Sequence, residues 1–300
     1  MARVGSVDQR FQSYNIEMVE VTGGHFWRPY RDDSKASGTP PLFAYRKPID
    51  LANARLRKLA AALGPAYLRV SGTWANATYF NDTGGNAIST PDGFTDELTR
   101  AQWKGVIEFA RAVDARLVTS FATSAGTRDA HGVWMPTLAN KLIAYTHALG
   151  GEIAAAEFTN EPEGDDAANF GRDLSAFRSL LKQASPETLL LGPGASGGDD
   201  ADSAHAGENL LGAAGPVFDA ISWHYYREAS QRCSHVMQSA TEREQKALSD
   251  ERLSKADHVA RAYAGLRDRF EPGKPLWITE TAAAFCGGNP SDATFLAAVS

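Results

Sequence analysis

Two glutamates carry the strongest chemical signal in this sequence. Glu161 follows the apolar run in AAAEFTNEP, and Glu280 closes the run PLWITE. Each run reads as a buried strand, so each carboxylate is expected at the C-terminal tip of its strand. Two carboxyl groups across a cleft suit glycoside hydrolysis. One protonates the leaving oxygen, and the other attacks or supports the anomeric carbon. Their environments must differ enough to keep one protonated. Pro162 fixes its own φ and turns Glu161 away from the right-handed helical region, which ends the strand there. Either glutamate alone also reads as a solvated rim residue; the pair carries the catalytic reading.

Rival chemistries are weaker. GASGG at 194–198 matches the G-x-S-x-G pattern after a strand, but GGDDADSA is a poor helix start where a nucleophile elbow needs a helix at once. The segment therefore reads as a flexible loop. The seven histidines show no HExxH-like spacing, so no metal is expected. His224, in SWHYY, reads as either a packed core histidine or a site residue at a strand tip. No GxGxxG or P-loop follows the first strand, which removes the signals for a nucleotide cofactor; no cofactor is expected.

The elements that must position the glutamates alternate. Short apolar runs at 14–19, 66–71, 116–123, 154–160, 188–193, 220–226 and 275–280 read as strands covered on both faces. Amphipathic stretches lie between them. One starts at an Asp50 N-cap and stops at Gly64; one starts at Thr95, with Trp103, Val106, Ile107 and Ala110 at helical spacing; one runs from Pro136 to Gly150. This βα alternation implies an α/β fold with a parallel sheet, either doubly wound or a closed (β/α)8 TIM barrel. In a barrel, Glu161 and Glu280 sit on the fourth and seventh strands, facing one another across the catalytic mouth. Long loops after the first two strands carry Trp27, Tyr30, Phe43, Tyr45, Trp74, Tyr79 and Phe80, aromatics suited to stacking on sugar rings.

Composition excludes other classes. Of 300 residues, 43% are hydrophobic and 22% charged, with a net charge of −6. The charges are interspersed, so no nucleic-acid footprint is expected. No apolar run is long enough for a membrane span. MARVGSVDQRFQ lacks the apolar stretch of a signal peptide. Cys233 and Cys286 form no CxxC and read as two buried thiols or as a disulfide.

PAYLRVSGTW, NEP, SWHYY and ITETAAAFCGGNP, in this order and spacing, resemble glycoside hydrolase family 79, the heparanase and β-glucuronidase family of the (β/α)8 glycosidases of clan A. The resemblance runs from about Phe11 to the C-terminus. It implies a retaining β-glucuronidase with Glu161 as acid/base and Glu280 as nucleophile. It further implies that Asn160 holds the sugar's 2-hydroxyl, and that Glu17, Thr73, Tyr226 and Tyr225 line the sugar site. Cys286, Gly287 and Gly288 would bind the uronate carboxylate through backbone N–H groups. The partner is then a glucuronide or a uronic-acid-containing glycan. The mostly neutral loops depart from heparanase-like members and favour an unsulfated glucuronide over endo-cleavage of heparan sulfate. An endo-acting enzyme, another clan A glycosidase such as a β-xylosidase or arabinofuranosidase, and a carbohydrate-binding barrel without catalysis are the alternatives. Residues 1–300 are expected to form one catalytic barrel domain, incomplete at the C-terminus before the eighth strand and without the family's β-sandwich. Cys233 and Cys286 follow the sixth and seventh strands and are expected to form a disulfide in neighbouring loops. Such a bond would suit an extracytoplasmic home.

Overall fold

The computed structural model describes residues 8–30, 41–85, 89–162, 166–197, 201–230, 232–233 and 249–288. The backbone alternates strands β1 (Tyr14–Glu17), β4 (Ala66–Ser71), β7 (Ala115–Ser120), β8 (Ile153–Glu157), β9 (Leu189–Gly197), β10 (Ala220–Ala229) and β11 (Leu276–Phe285) with helices. These seven form one sheet in the order β1-β4-β7-β8-β9-β10-β11. The registered pairs are parallel. Neighbours in sequence are thus neighbours in the sheet, as a (β/α)8 barrel of the α/β class requires. The strands fall close to the apolar runs, since a strand buried on both faces must be largely apolar. Two ends differ from expectation: β8 stops at Glu157, so Glu161 lies four residues past its strand and not at its tip, and β11 runs on to Phe285, so Glu280 lies inside the strand and does not close it.

The chain divides into two compact units. One comprises Met1–Gly24, Lys47–Asn160 and Ala168–Leu191; the other comprises His25–Arg46, Glu161–Ala167 and Gly192–Ser300.

In the first unit, helices α2 (Ala54–Ala61), α3 (Arg100–Ala112), α4 (Thr137–Ala148) and α5 (Ala167–Ala184, all but its first residue) join the first four strands. The predicted stripe of α3 is the buried one: Trp103, Val106, Ile107 and Ala110 are all at most 6% exposed. Trp103 donates its indole N–H to Thr146 Oγ1 on α4 at 2.8 Å, so the largest core side chain leaves no orphan donor. Phe170 and Phe177 of α5 form an aromatic cluster with Phe121, Trp134 and Phe158.

In the second unit, α6 (Ala201–Ala214), α7 (Asp250–Leu253) and α8 (Lys255–Phe270) accompany β10 and β11. Trp223 of β10 stacks on Tyr263 of α8 with centroids 4.8 Å apart and planes 9° from parallel.

Several local expectations are corrected. The first strand stops at Glu17, because Met18–Thr22 turns into a short helix, α1. The N-cap of α2 is Asn53, whose Oδ1 accepts from the Arg55 and Leu56 amides, while Asp50 caps only a turn through Ala52. Helix α3 starts at Arg100 rather than Thr95. Thr99 and Gln102 form a reciprocal capping box there, and Asp96–Thr99 instead becomes strand β6, paired with β5 (Thr78–Asn81). The segment read as a flexible loop at 194–198 continues β9 to Gly197, and helix α6 begins at Ala201. Ser196 therefore lies within a strand and not on the sharp turn of a nucleophile elbow. The long loop after β1 contains a two-stranded sheet, β2 (Gly24–Trp27) with β3 (Phe43–Arg46). Phe80, expected among the sugar-stacking aromatics, is 2% exposed and packs on Tyr145 of α4.

Candidate functional site

In the second unit, β10 and β11 run side by side, and His224 and Glu280 sit midway along their ten-residue strands. Trp223 pairs with Ile278, but His224 pairs with Glu280, so Thr279 is an extra residue on β11. A bulge of this kind re-aims the side chains that follow it. Without it, His224 would face Thr279 and not the glutamate.

Three titratable side chains meet here. His224 is fully buried, and its Nδ1 lies 3.0 Å from Glu161 Oε1 and 3.7 Å from Glu280 Oε2. One ligand-competent atom from each of Glu161, His224 and Glu280 lies within 4.8 Å of the others. The Tyr226 hydroxyl donates to Glu280 Oε1. Glu280 is 10% exposed at its side chain and Glu161 28%. One carboxylate is therefore deep and held by a phenol, while the other is more open to solvent. Glu161 adopts φ +47°, a left-handed conformation uncommon outside glycine. Such a backbone, held by the structure around it, is often found at functional sites. A nitrogen and two carboxylate oxygens at this spacing could also hold a divalent cation. No ligand-spacing motif reveals such a trio, since its members come from three separate segments.

Tyr225 does not join this group. Strand alternation turns it to the face opposite His224 and Tyr226, and it is buried there.

Beyond β11 the chain turns sharply. Cys286, Gly287 and Gly288 take φ values of +62°, +74° and +71°. A Cβ on Gly287 would fall 2.4 Å from Cγ of Trp27, so only glycine fits between this turn and the indole. The Tyr30 hydroxyl donates to the Gly288 carbonyl at 2.8 Å. A disulfide joins Cys286 to Cys233. Cys286 and Gly287 form the turn itself, and the Gly287 amide has no backbone partner among the described residues.

In the first unit, Asn160 sits in a buried polar network. Arg69 donates from Nη2 to Glu157 Oε2 at 2.8 Å and to Asn160 Oδ1 at 2.9 Å. With its oxygen held by a cation, the Asn160 amide is oriented and its NH2 is the group left to donate. Asn76 clamps the backbone on either side: its Oδ1 accepts from the Thr159 hydroxyl and the Asn160 amide, and its Nδ2 donates to the Asn160 carbonyl. Glu157, at the end of β8, is the fully buried partner of Arg69. Glu17 lies at the end of β1 against Gly72. A Cβ on that glycine would fall 1.6 Å from Glu17 Oε2. Thr73, one residue on, is exposed at the start of a 3-10 turn, Thr73–Ala77.

Sequence reasoning missed Arg69 and Asn76. The signal for Arg69 was an arginine inside an otherwise apolar strand, AYLRVS, where a charge needs a partner. Asn76 gave no signal, since its importance lies in which backbone it meets.

With this geometry in hand, comparison with known proteins is informative. No protein-family profile matches the chain. Heparanase of Mus musculus is 22% identical over 298 residues, covering 80% of this chain and 52% of that protein. The fold is also found in the Ignisphaera aggregans GH53 catalytic domain, with a TM-score of 0.52 at 13% identity, over 93% of this chain and 70% of that one. The GH51 arabinofuranosidase from Xanthomonas axonopodis pv. citri gives a TM-score of 0.51 at 16% identity, over 83% and 52%. The sequence is heparanase-like, and the fold is that of these glycoside hydrolase barrels. The chain spans about half the length of the curated relatives it matches.

Proposed function

We propose that this chain carries the catalytic centre of a retaining glycoside hydrolase acting on β-linked glucuronic acid. The observation that carries the reading is the meeting of Glu161 and Glu280, each with an oxygen within 4.8 Å of the other and of His224 Nδ1. Retaining glycosidases place their carboxyl groups about 5–5.5 Å apart, whereas inverting ones need about 6.5–9.5 Å to fit a water. In this reading Glu280 is the nucleophile. It is the deeper carboxylate, and the Tyr226 phenol keeps one of its oxygens oriented. Glu161 is the acid/base. Its greater exposure suits a group that must hand a proton to a leaving oxygen and later take one from water. Attack by Glu280 forms a glycosyl-enzyme as Glu161 protonates the departing oxygen, and water assisted by Glu161 then releases the sugar. His224, at hydrogen-bond distance from Glu161 and close to Glu280, keeps the pair in place. Asn160 supplies an oriented amide for the sugar's 2-hydroxyl, and the Gly287 and Gly288 amides supply donors for a uronate.

A panel of aryl β-glycosides tests this directly. Wild type should release phenol from the glucuronide in preference to the xyloside and arabinofuranoside. Glu280→Gln should lower kcat by at least about 10⁴-fold, as expected for loss of a covalent nucleophile. Glu161→Gln should hit hardest the substrates with poor leaving groups, which need the acid most. Undiminished hydrolysis by Glu280→Gln would end the assignment.

A further inference from the structure

We propose that Glu161, His224 and Glu280 form a zinc-binding site, and that Zn²⁺ bound there shuts off the hydrolase. The ion is an inhibitor and not a cofactor. The inhibition rests on the reading of Glu161 and Glu280 as the catalytic pair, while the metal site itself rests on donor chemistry and geometry.

The donor set suits the ion. One imidazole nitrogen and two carboxylate oxygens are ligands that zinc takes readily, whereas calcium and magnesium call for about six or more oxygens. Three protein ligands with a fourth position left open is also the usual ligand count of an accessible zinc site. The spacing agrees. Zinc sits about 2.0–2.2 Å from nitrogen and oxygen ligands, so two ligands of a tetrahedral site lie roughly 3.4 Å apart. His224 Nδ1 is 3.0 Å from Glu161 Oε1 and 3.7 Å from Glu280 Oε2. These separations bracket that edge, and all three ligand atoms lie within 4.8 Å of one another. Glu161, the most exposed of the three, is the side chain best placed to make the remaining adjustment.

The surroundings meet the other needs of a metal site. Glu280 Oε1 accepts from the Tyr226 hydroxyl, and Oε2 is the oxygen turned toward His224 Nδ1. An outer partner of this kind orients a ligating carboxylate. The register shift at Thr279 sets His224 and Glu280 side by side on β10 and β11, so two of the three ligands stand on adjacent strands and not on loops. His224 is fully buried, so an ion enters from the side of Glu161, whose side chain is 28% exposed.

Electrostatics point the same way. Two carboxylates held this close repel one another when both are ionised, and a dication among them offsets that repulsion. Its binding replaces the contact between His224 Nδ1 and Glu161 Oε1. Both carboxylates are then tied to the ion. Glu280 no longer attacks, Glu161 no longer carries a proton, and zinc and sugar exclude one another. The simpler alternative is a trio joined by hydrogen bonds alone, in which any zinc effect comes from ligands elsewhere on the surface.

The test uses the full chain and a readout independent of turnover. Co²⁺ replaces Zn²⁺ in such sites, and in a four-coordinate site it absorbs visible light far more strongly than the aqueous ion. Wild type should develop that band with one equivalent of Co²⁺ and lose it to Zn²⁺. Glu161→Gln, His224→Gln and Glu280→Gln should each weaken binding of both metals by at least about 100-fold, and Tyr226→Phe by about 10-fold, as loss of an outer partner does. Glu161→Gln, the most exposed change, keeps the test decisive if the buried His224→Gln fails to fold. In wild type, Zn²⁺ should raise KM for an aryl β-glucuronide at constant kcat, and a chelator should reverse this. No intense band up to about 1 mM Co²⁺, a band that survives Glu161→Gln and Glu280→Gln, or turnover that Zn²⁺ leaves unchanged or stimulates would each overturn the proposal. If the band depends on the trio but no aryl glycoside is hydrolysed with or without zinc, the glycosidase reading fails, the inhibition falls with it, and the metal site stands.

Discussion

The buried Arg69–Glu157 pair offers a sharp test of how this site is built. Both side chains are nearly inaccessible, at 4% and 1% exposure. Arg69 gives Nε and Nη2 to Glu157 Oε2, at 3.1 and 2.8 Å, and shares Nη2 with Asn160. Glu157→Gln keeps the shape but removes this counter-charge from beside a buried guanidinium. Breaking one partner of a buried pair costs about 3–5 kcal/mol, because the survivor's desolvation is no longer offset. In a chain of this size each kcal/mol moves the thermal midpoint by roughly 2 °C, so a drop of about 6–10 °C is expected. Replacing both residues with apolar ones, Arg69→Met with Glu157→Leu, removes both charges from the interior. That double variant should recover to within about 2 kcal/mol of wild type, since an apolar pair of similar volume is often neutral or better. Its Asn160 amide would nonetheless lose its anchor, so sugar binding should stay impaired after stability returns. Thermal and urea unfolding followed by tryptophan fluorescence, beside a sugar titration, reads both quantities. A Glu157→Gln loss below about 1 kcal/mol, or a double variant no more stable than the single, would refute the reasoning.

Three further outcomes are expected. Gly287→Ala should weaken sugar binding and lower stability by about 1–3 kcal/mol, since the new methyl meets Trp27 at 2.4 Å and the residue sits at φ +74°; a binding isotherm and melting curve matching wild type would contradict this. Reducing Cys233–Cys286, which are 53 residues apart, should cost about 4 kcal/mol of stability by freeing the unfolded chain; calorimetry with and without a thiol reductant measures it. Burial raises the Asp173 pKa, but hydrogen bonds from Arg172, Arg128 and the Trp134 amide outweigh it and hold the carboxyl below its usual value. The stability Asp173 contributes should therefore be full above its unfolded value near 3.9 and fade as pH falls through the lower folded value. Asp173→Asn should flatten that acid limb, so unchanged pH dependence of the urea midpoint between pH 2 and 5 would speak against it.

Much of the fold was legible because it is written locally. A strand covered on both faces must be apolar along its length, and that is visible in AYLRVS or TLLLGP without knowing their neighbours. Helix α3 announces its buried face through the spacing of Trp103, Val106, Ile107 and Ala110. Its start was misplaced because Thr95 and Thr99 are both plausible caps, and the pairing of Asp96–Thr99 with β5 decided between them. The same limit hid β2 and β3, whose residues alone do not say what they pair with.

Sequence alone thus determined the order of strands and helices, and that Glu161 and Glu280 each follow an apolar run. Those are properties of short segments, set by burial and chain stiffness. Tertiary structure alone decided that an extra residue at Thr279 sets Glu280 opposite His224, that Arg69 reaches both Glu157 and Asn160, and that Tyr226 donates to Glu280. Register and charge pairing depend on which distant segments become neighbours, and the energies that choose between them exist only once the chain has brought those segments together.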